Sequence, residues 1–236
     1  ITADHDCKEH PFAFNENGRY QPDTTKREEL FELYYNFGFS DAIAFDRKHL
    51  SYVAQLADGL RLLALNNDGD LVNKTYDNEQ IKWIKEQVKK AKEDNQMMIV
   101  MNHYPLIAGV PVFSLVGDAV MKNAKAVTTM LADEGVHLAF TGHMHNQSIN
   151  FRKTEKGNKF FDVCTGTVIG FPAFMRLVTI KNEDEVKIKS IPVPKFDWNM
   201  EGLSNEEYFT RQFDLMIKNT IEMLMFNPKE VLRKIG

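Results

Sequence analysis

Two short segments carry the residues best suited to chemistry. Asn102-His103-Tyr104-Pro105 directly follows the apolar run 97–101, and Thr141-Gly142-His143-Met144-His145 directly follows the apolar run 136–140. Imidazole is a favoured ligand of transition-metal ions, and several delivered to one place make most of a coordination shell. Open α/β sheets gather their ligands at the carboxyl ends of strands, where both segments are predicted to emerge. The glycine before His143 permits a sharp turn with no Cβ in the way. His143 and His145, two residues apart, are expected to point the same way if their segment is extended. His49 and His137 have no such setting and read as structural.

Asn-His-Tyr-Pro and Gly-His-Met-His together resemble the fourth and fifth motifs of the calcineurin-like metallophosphoesterase superfamily. The third motif of that family, Gly-Asn-His-Asp, is matched in its histidine and final aspartate by Ala3-Asp4-His5-Asp6. His10-Pro11-Phe12-Ala13, Tyr35-Asn36-Phe37-Gly38-Phe39 and Leu50-Ser51-Tyr52-Val53 are similar to a bacterial, Ser/Thr phosphatase-like branch. The resemblance spans most of the chain and implies an α/β fold: a metallophosphoesterase-like β-sandwich flanked by helices in α-β-β-α layers. The first two motifs, Asp-x-His and Gly-Asp-x-x-Asp, do not occur. Gly69-Asp70 and Gly117-Asp118 begin like the second, but Asn73 and Met121 stand where its last aspartate belongs. With Ile1 at its start, the chain is expected to be N-terminally incomplete, lacking one or two βα units.

Carried onto this sequence, the resemblance assigns Asp4, His103 and His143 to one metal ion and His145 to a second. His5 would protonate the leaving group, with Asp6 holding its imidazole. It implies divalent ions, two in the intact protein, drawn from manganese, iron or zinc, and a phosphomonoester or phosphodiester substrate. Such a pair lowers the pKa of a shared water and neutralises the phosphoryl oxygens during in-line attack. The family usually has asparagine where this chain has Asp4, so a carboxylate here strengthens the ligand set for hard cations while adding negative charge beside an anionic substrate. Without the bridging aspartate the expectation is one weakly held ion and little hydrolysis. A second reading, a non-catalytic phosphoesterase-like binding or structural domain, follows from Asp4 and the missing ligands.

The 236 residues, 43% apolar, suffice for a large core. A net charge of −4 gives no footprint for nucleic acid, and the lysines of 82–92, interrupted by Glu86, read as the wet face of a helix. Cys7 and Cys164 are too few and too far apart for a disulfide scaffold or zinc finger. No apolar stretch reaches the roughly 20 residues that span a bilayer. The resembling branch directs the expectation of compartment outside the cytoplasm, at the cell envelope, with any signal lost upstream.

The elements that must position the histidines follow from periodicity. Thr24 or Thr25 is placed to cap a helix through Tyr35, with Gly38 past its end. A buried strand is predicted at 60–65, then a helix capped by Asp77 with Gln80, with Ile81, Ile84, Val88 and Ala91 on one face. Strands at 97–101 and 136–140 bracket a helix at 118–132. Shorter β segments at 148–152, 159–163, 175–181 and 185–191 suggest a second sheet packed on the first. Thr165-Gly166-Thr167 reads either as pocket lining or as a tight turn, and the Pro- and Gly-containing loop 107–116 as a wall of the cleft. The resemblance implies that residues 1–195 form a metallophosphoesterase domain lacking its N-terminal βα units, with 196–236 expected as a helical extension packing on it. In that extension Phe209, Phe213, Met216, Ile217, Thr220 and Leu224 make a stripe for the core, a dimer contact or a membrane surface.

Overall fold

A computed structural model describes residues 1–3, 6, 13–15, 18–20, 25–66, 74–109, 120–194 and 197–226. Asp4 and His5, Gly69-Asp70, Gly117-Asp118 and Cys7 lie outside the described residues, as do 110–116 of the proposed cleft wall. The fold is mixed α/β, with a large central sheet flanked by helices. The chain forms two compact units. One comprises Ile1–His103, Lys122–Ala139 and Lys153–Phe160, and the other Tyr104–Met121, Phe140–Arg152 and Phe161–Gly236.

After a small hairpin of β1 (Ala13–Asn15) and β2 (Gly18–Tyr20), the expected N-terminal helix shrinks to one turn, α1 (Leu30–Leu33), between 3-10 turns. The entry to the first of these turns is closed by Glu29, which accepts the Lys26 N–H at 2.7 Å, rather than by Thr25; Thr24 lies outside the described residues. Aromatic packing outweighs helical propensity here. The Phe31 ring lies 5.4 Å from Phe39 and 5.2 Å from Phe45, and Phe39 lies 5.4 Å from Tyr52. These rings close around Leu30, only 1% exposed.

The strands β3 (Ala42–Asp46), β4 (Ser51–Ala57) and β5 (Leu60–Leu65) form an antiparallel meander, and β5 pairs in parallel with β6 (Met97–Asn102), Leu60 opposite Met97 and Leu65 opposite Asn102. The crossover is α2 (Asn78–Glu93), begun by Asp77, whose Oδ1 accepts the Gln80 N–H at 2.8 Å. Ile84, Val88 and Ala91 are buried as predicted, but Ile81 is only half-buried and Gln80 takes the fourth inner position. That swap has a chemical reason: the Gln80 amide donates to Ser51 Oγ (3.0 Å) and to the Asn66 carbonyl (2.7 Å) just past β5. Asn66 in turn accepts the Thr2 N–H at 2.8 Å, tying the start of the chain to the carboxyl end of β5. Met98, Ile99 and Val100 are buried together, as both faces of an interior parallel strand require.

The second predicted crossover is α3 (Ala124–Asp133), followed by β7 (Leu138–Thr141). Beyond residue 146 the strands form near their predicted positions but divide differently between sheets. Here β8 (Ser148–Lys153) and β9 (Lys159–Cys164) join the main sheet, in the order β3-β4-β5-β6-β7-β9-β8, while β10 (Phe174–Ile180) and β11 (Val186–Pro192) pair only with each other. The C-terminal helix α4 (Asn205–Phe226) starts with a reciprocal cap, the Ser204 N–H donating to Glu207 and the Glu207 N–H to Ser204 Oγ. Among the described side chains of its apolar stripe, only Phe209 is in the core, at 4% exposure. Phe213, Met216 and Ile217 are exposed, with Phe213 set 5.3 Å from the ring of Phe171. The side chains of Thr220 and Leu224 lie outside the description. No helix among the described residues is long and apolar enough to cross a membrane.

Candidate functional site

Within the second unit, the segment after β6 and the segment after β7 meet. The ring of Tyr104, 1% exposed, lies 4.3 Å from the imidazole of His143 at an interplanar angle of 55°. Thus the tyrosine of Asn-His-Tyr-Pro touches the first histidine of Gly-His-Met-His. His103 is the last residue of the first stretch of unit one, covalently joined to Tyr104 just past β6.

The Gly142–His145 segment is not extended. His143 has φ 62° and His145 φ 52°, both in the left-handed region. The Met144 N–H donates to the Gly142 carbonyl at 2.7 Å. This bond closes a three-residue turn centred on His143. The condition for both rings to point the same way, an extended segment, is therefore not met: each histidine sits at its own bend. Histidine tolerates this backbone better than most side-chain-bearing residues, though still at a conformational cost. His143 is half-buried and His145 exposed.

One buried carboxylate underlies the loop. Asp162 of β9 is fully buried; its Oδ2 accepts the N–H groups of Leu106 (2.6 Å) and Ile107 (2.8 Å), and its Oδ1 accepts the Thr141 hydroxyl (2.5 Å). Burial pushes its pKa above the usual carboxylate range, opposed by these same hydrogen bonds. Beside it, burial and then the Asp162 charge push the Cys164 thiol up to about 11, so it remains protonated at neutral pH and donates to the Gly142 carbonyl at 3.2 Å. The Thr165 N–H donates to the Thr141 carbonyl at 2.9 Å, and a Cβ added to Gly166 would stand 3.4 Å from the His145 carbonyl oxygen. The 165–167 segment thus packs on the histidine loop through its small residue. The motifs read from the sequence do not include Asp162, yet a lone carboxylate inside Phe160-Phe161-Asp162-Val163-Cys164 is a signal, because a buried charge demands partners.

In the first unit, Asp6 is the described member of the Ala3-Asp4-His5-Asp6 segment that carries a candidate role. Its carboxylate accepts the Ala3 N–H at 2.8 Å and the Tyr34 hydroxyl, and its own N–H donates to the Ala3 carbonyl at 3.1 Å. Asp4 and His5, the proposed ligand and acid, lie outside the described residues. His49 is structural as expected: Nδ1 meets Asp46 Oδ2 at 2.6 Å and Nε2 meets Asp77 Oδ2 at 3.0 Å, fastening the β3–β4 turn to the start of α2. His137 bonds the Lys159 carbonyl at 2.8 Å. Among the described residues, no three His, Cys, Asp or Glu side chains converge closely enough to hold a metal ion. The described donors are of the right chemical type for a transition ion but do not by themselves complete a site.

No family model matches the chain, and no curated protein matches it. Among solved structures it is similar to a dimetal phosphatase from Danio rerio, with 12% identity and a TM-score of 0.45 over 61% of this chain and 58% of that one. It is also similar to a purple acid phosphatase isolated from yellow lupin (Lupinus luteus) seeds, with 14% identity and a TM-score of 0.39 over 51% of this chain and 24% of that one. The chain therefore spans less than two thirds of either protein.

Proposed function

We propose that this chain is part of a metal-dependent phosphoester hydrolase, with residues 1–195 forming the catalytic domain and 196–236 a helical extension. The contact that carries the reading is the 4.3 Å approach of Tyr104 to His143, which joins the two histidine segments. In this reading Asp4, His103 and His143 hold one divalent ion and His145 binds a second, with manganese, iron or zinc suited to such nitrogen and oxygen donors. Ions held there would supply a water of lowered pKa and offset charge on the phosphoryl oxygens. His5 gives its proton to the departing alkoxide, a contribution of roughly 10² to 10⁴ in rate. The exposure of His145 leaves it accessible to an anionic substrate from solvent.

The second reading is a phosphoesterase-like domain that binds without turnover. It is favoured by Asp4, a carboxylate where the resembling family usually has asparagine, and by the lack of the Asp-x-His and Gly-Asp-x-x-Asp motifs in this sequence. Dialysis against Mn²⁺ followed by metal analysis, with turnover of p-nitrophenyl phosphate and its bis-ester, separates the two. Stoichiometric manganese and slow hydrolysis, both lost in His103→Ala and His143→Ala, support the enzyme. No bound manganese and no turnover favour the binding domain.

A further inference from the structure

The geometry points to Asp162 as a positioning residue, an anchor that ties both the segment before His143 and the segment after Tyr104 to one carboxylate and so steadies the direction of the imidazole. Its importance to catalysis rests on the phosphoesterase reading, whereas its control of the His143 loop does not. His143 has a left-handed backbone, with φ 62°. An L-residue occupies that region only when its surroundings over-determine it. Besides the Met144–Gly142 turn bond and the ties of the Thr141 and Gly142 carbonyls to the Thr165 N–H and the Cys164 thiol, two side-chain restraints bear on it. On the chain side, Thr141 stands two residues before His143; on the ring side, Tyr104 lies against the imidazole. Both lead to one carboxylate. Asp162 Oδ1 takes the Thr141 hydroxyl, and Oδ2 takes the adjacent N–H groups of Leu106 and Ile107, just beyond Tyr104.

The chemistry explains the residue type. Two neighbouring backbone N–H groups and a hydroxyl, all buried, need acceptors at one point. An aspartate, with two oxygens on one short arm, satisfies all three. An asparagine can reproduce this pattern: its oxygen serves the two N–H groups while its amide donates to a Thr141 hydroxyl turned to accept. Alanine cannot, and neither loop would then be tied to β9 through this side chain. Cutting the Thr141 link alone, with Thr141→Val, isolates the chain-side restraint.

The test needs neither metal nor substrate. Tyr104 lies close enough for its ring current to displace the ring-proton resonances of His143, assigned by their loss in His143→Gln. In the full chain, Asp162→Ala should abolish that displacement, Thr141→Val should reduce it, and Asp162→Asn should retain it, while the His49 and His137 signals stay in place. If Asp162→Ala does not fold, the Thr141→Val and Asp162→Asn spectra decide. An unmoved His143 resonance in folded Thr141→Val or Asp162→Ala overturns the inference, as does an Asp162→Asn spectrum that matches a lost contact. Where wild type hydrolyses aryl phosphate, Asp162→Ala should lower kcat by about a hundredfold, the loss typical of a small misplacement of a reacting group, and Asp162→Asn should restore it. Absence of turnover in wild type would remove the phosphoesterase reading and leave the spectral test of Asp162 intact.

Discussion

Replacing Gly38 with alanine should be among the most damaging single changes in the first unit, and the damage should be partly reversible from one other position. Gly38 has φ 137°, a region L side chains rarely adopt, and an added Cβ would overlap the Tyr52 hydroxyl and stand 3.1 Å from its Cζ. Tyr52 cannot swing aside freely: it is 4% exposed and set edge-on to Phe39. Backbone strain of this type costs about 1–3 kcal/mol, and overpacking a filled core costs about 1–3 kcal/mol more. The expected loss is thus about 4 kcal/mol, the sum of the two midpoints. Tyr52→Phe removes the atom that the Cβ meets first, so in that background the alanine should cost about 2 kcal/mol, chiefly the backbone part. Urea unfolding of the four proteins of the cycle, extrapolated linearly with unchanged m, measures both quantities. A loss under about 1 kcal/mol for Gly38→Ala, or an equal loss in both backgrounds, would refute the steric account. The result bears on function because Tyr34, packed on this same cluster, donates to Asp6.

Three further outcomes follow from charged and titratable groups. Asp77→Ala should cost about 1 kcal/mol through loss of the α2 cap, whereas Asp77→Asn should preserve the cap. The Gln80 N–H, followed by contacts with His49 and Lys48, holds the Asp77 carboxyl well below the usual range. A lowered carboxylate pKa gives stability that is present above the unfolded value of 3.8 and lost as pH falls through the lower folded value. Asp77→Asn should therefore flatten the acid limb of a stability–pH curve below about pH 4. Because Asp77 is nearly half exposed, this limb should be small and shrink with salt. The Cys164 thiol, raised to about 11 and buried, should resist a thiol reagent at pH 8 in a Cys7→Ser background and react at once in guanidinium. Rapid native labelling would show that it is neither buried nor suppressed.

Where local pattern and tertiary packing agree, the fold is legible in the sequence. The cap at Asp77, most of the inner face of α2 and the apolar runs of β5 and β6 all appear as expected, because a crossover helix and a buried parallel strand have distinct periods. The short N-terminal helix is not legible, since Phe31, Phe39, Phe45 and Tyr52 gain more by clustering than 25–35 gains by completing helical turns. Strand partnership is also hidden. Alternation places β8 to β11 correctly but does not say which sheet each joins, and the link between β9 and β7 is reinforced by a side chain, Asp162 to Thr141. The meeting of the two histidine segments at Tyr104 and His143 follows from their places after strands, but Asp162 draws its N–H partners from 55 and 56 residues away, beyond any local pattern.

The left-handed backbone at His143 and His145 changes what the Gly-His-Met-His spacing means physically. Had the segment been extended, the two-residue interval alone would have aligned the rings, and Gly142 would have supplied the needed freedom. Instead the positive φ values fall on the histidines themselves, while Gly142 contributes its carbonyl as acceptor for both the Met144 N–H and the Cys164 thiol. Each imidazole direction is then set by a separate bend that the local sequence does not favour energetically. Such bends persist only with support from outside the segment, and at His143 that support is the turn hydrogen bond, the Tyr104 ring and the Asp162 anchor. A substitution that leaves all the histidines in place but loosens this support should therefore impair the site as much as loss of a candidate ligand, and no reading of the five-residue motif alone would foresee it.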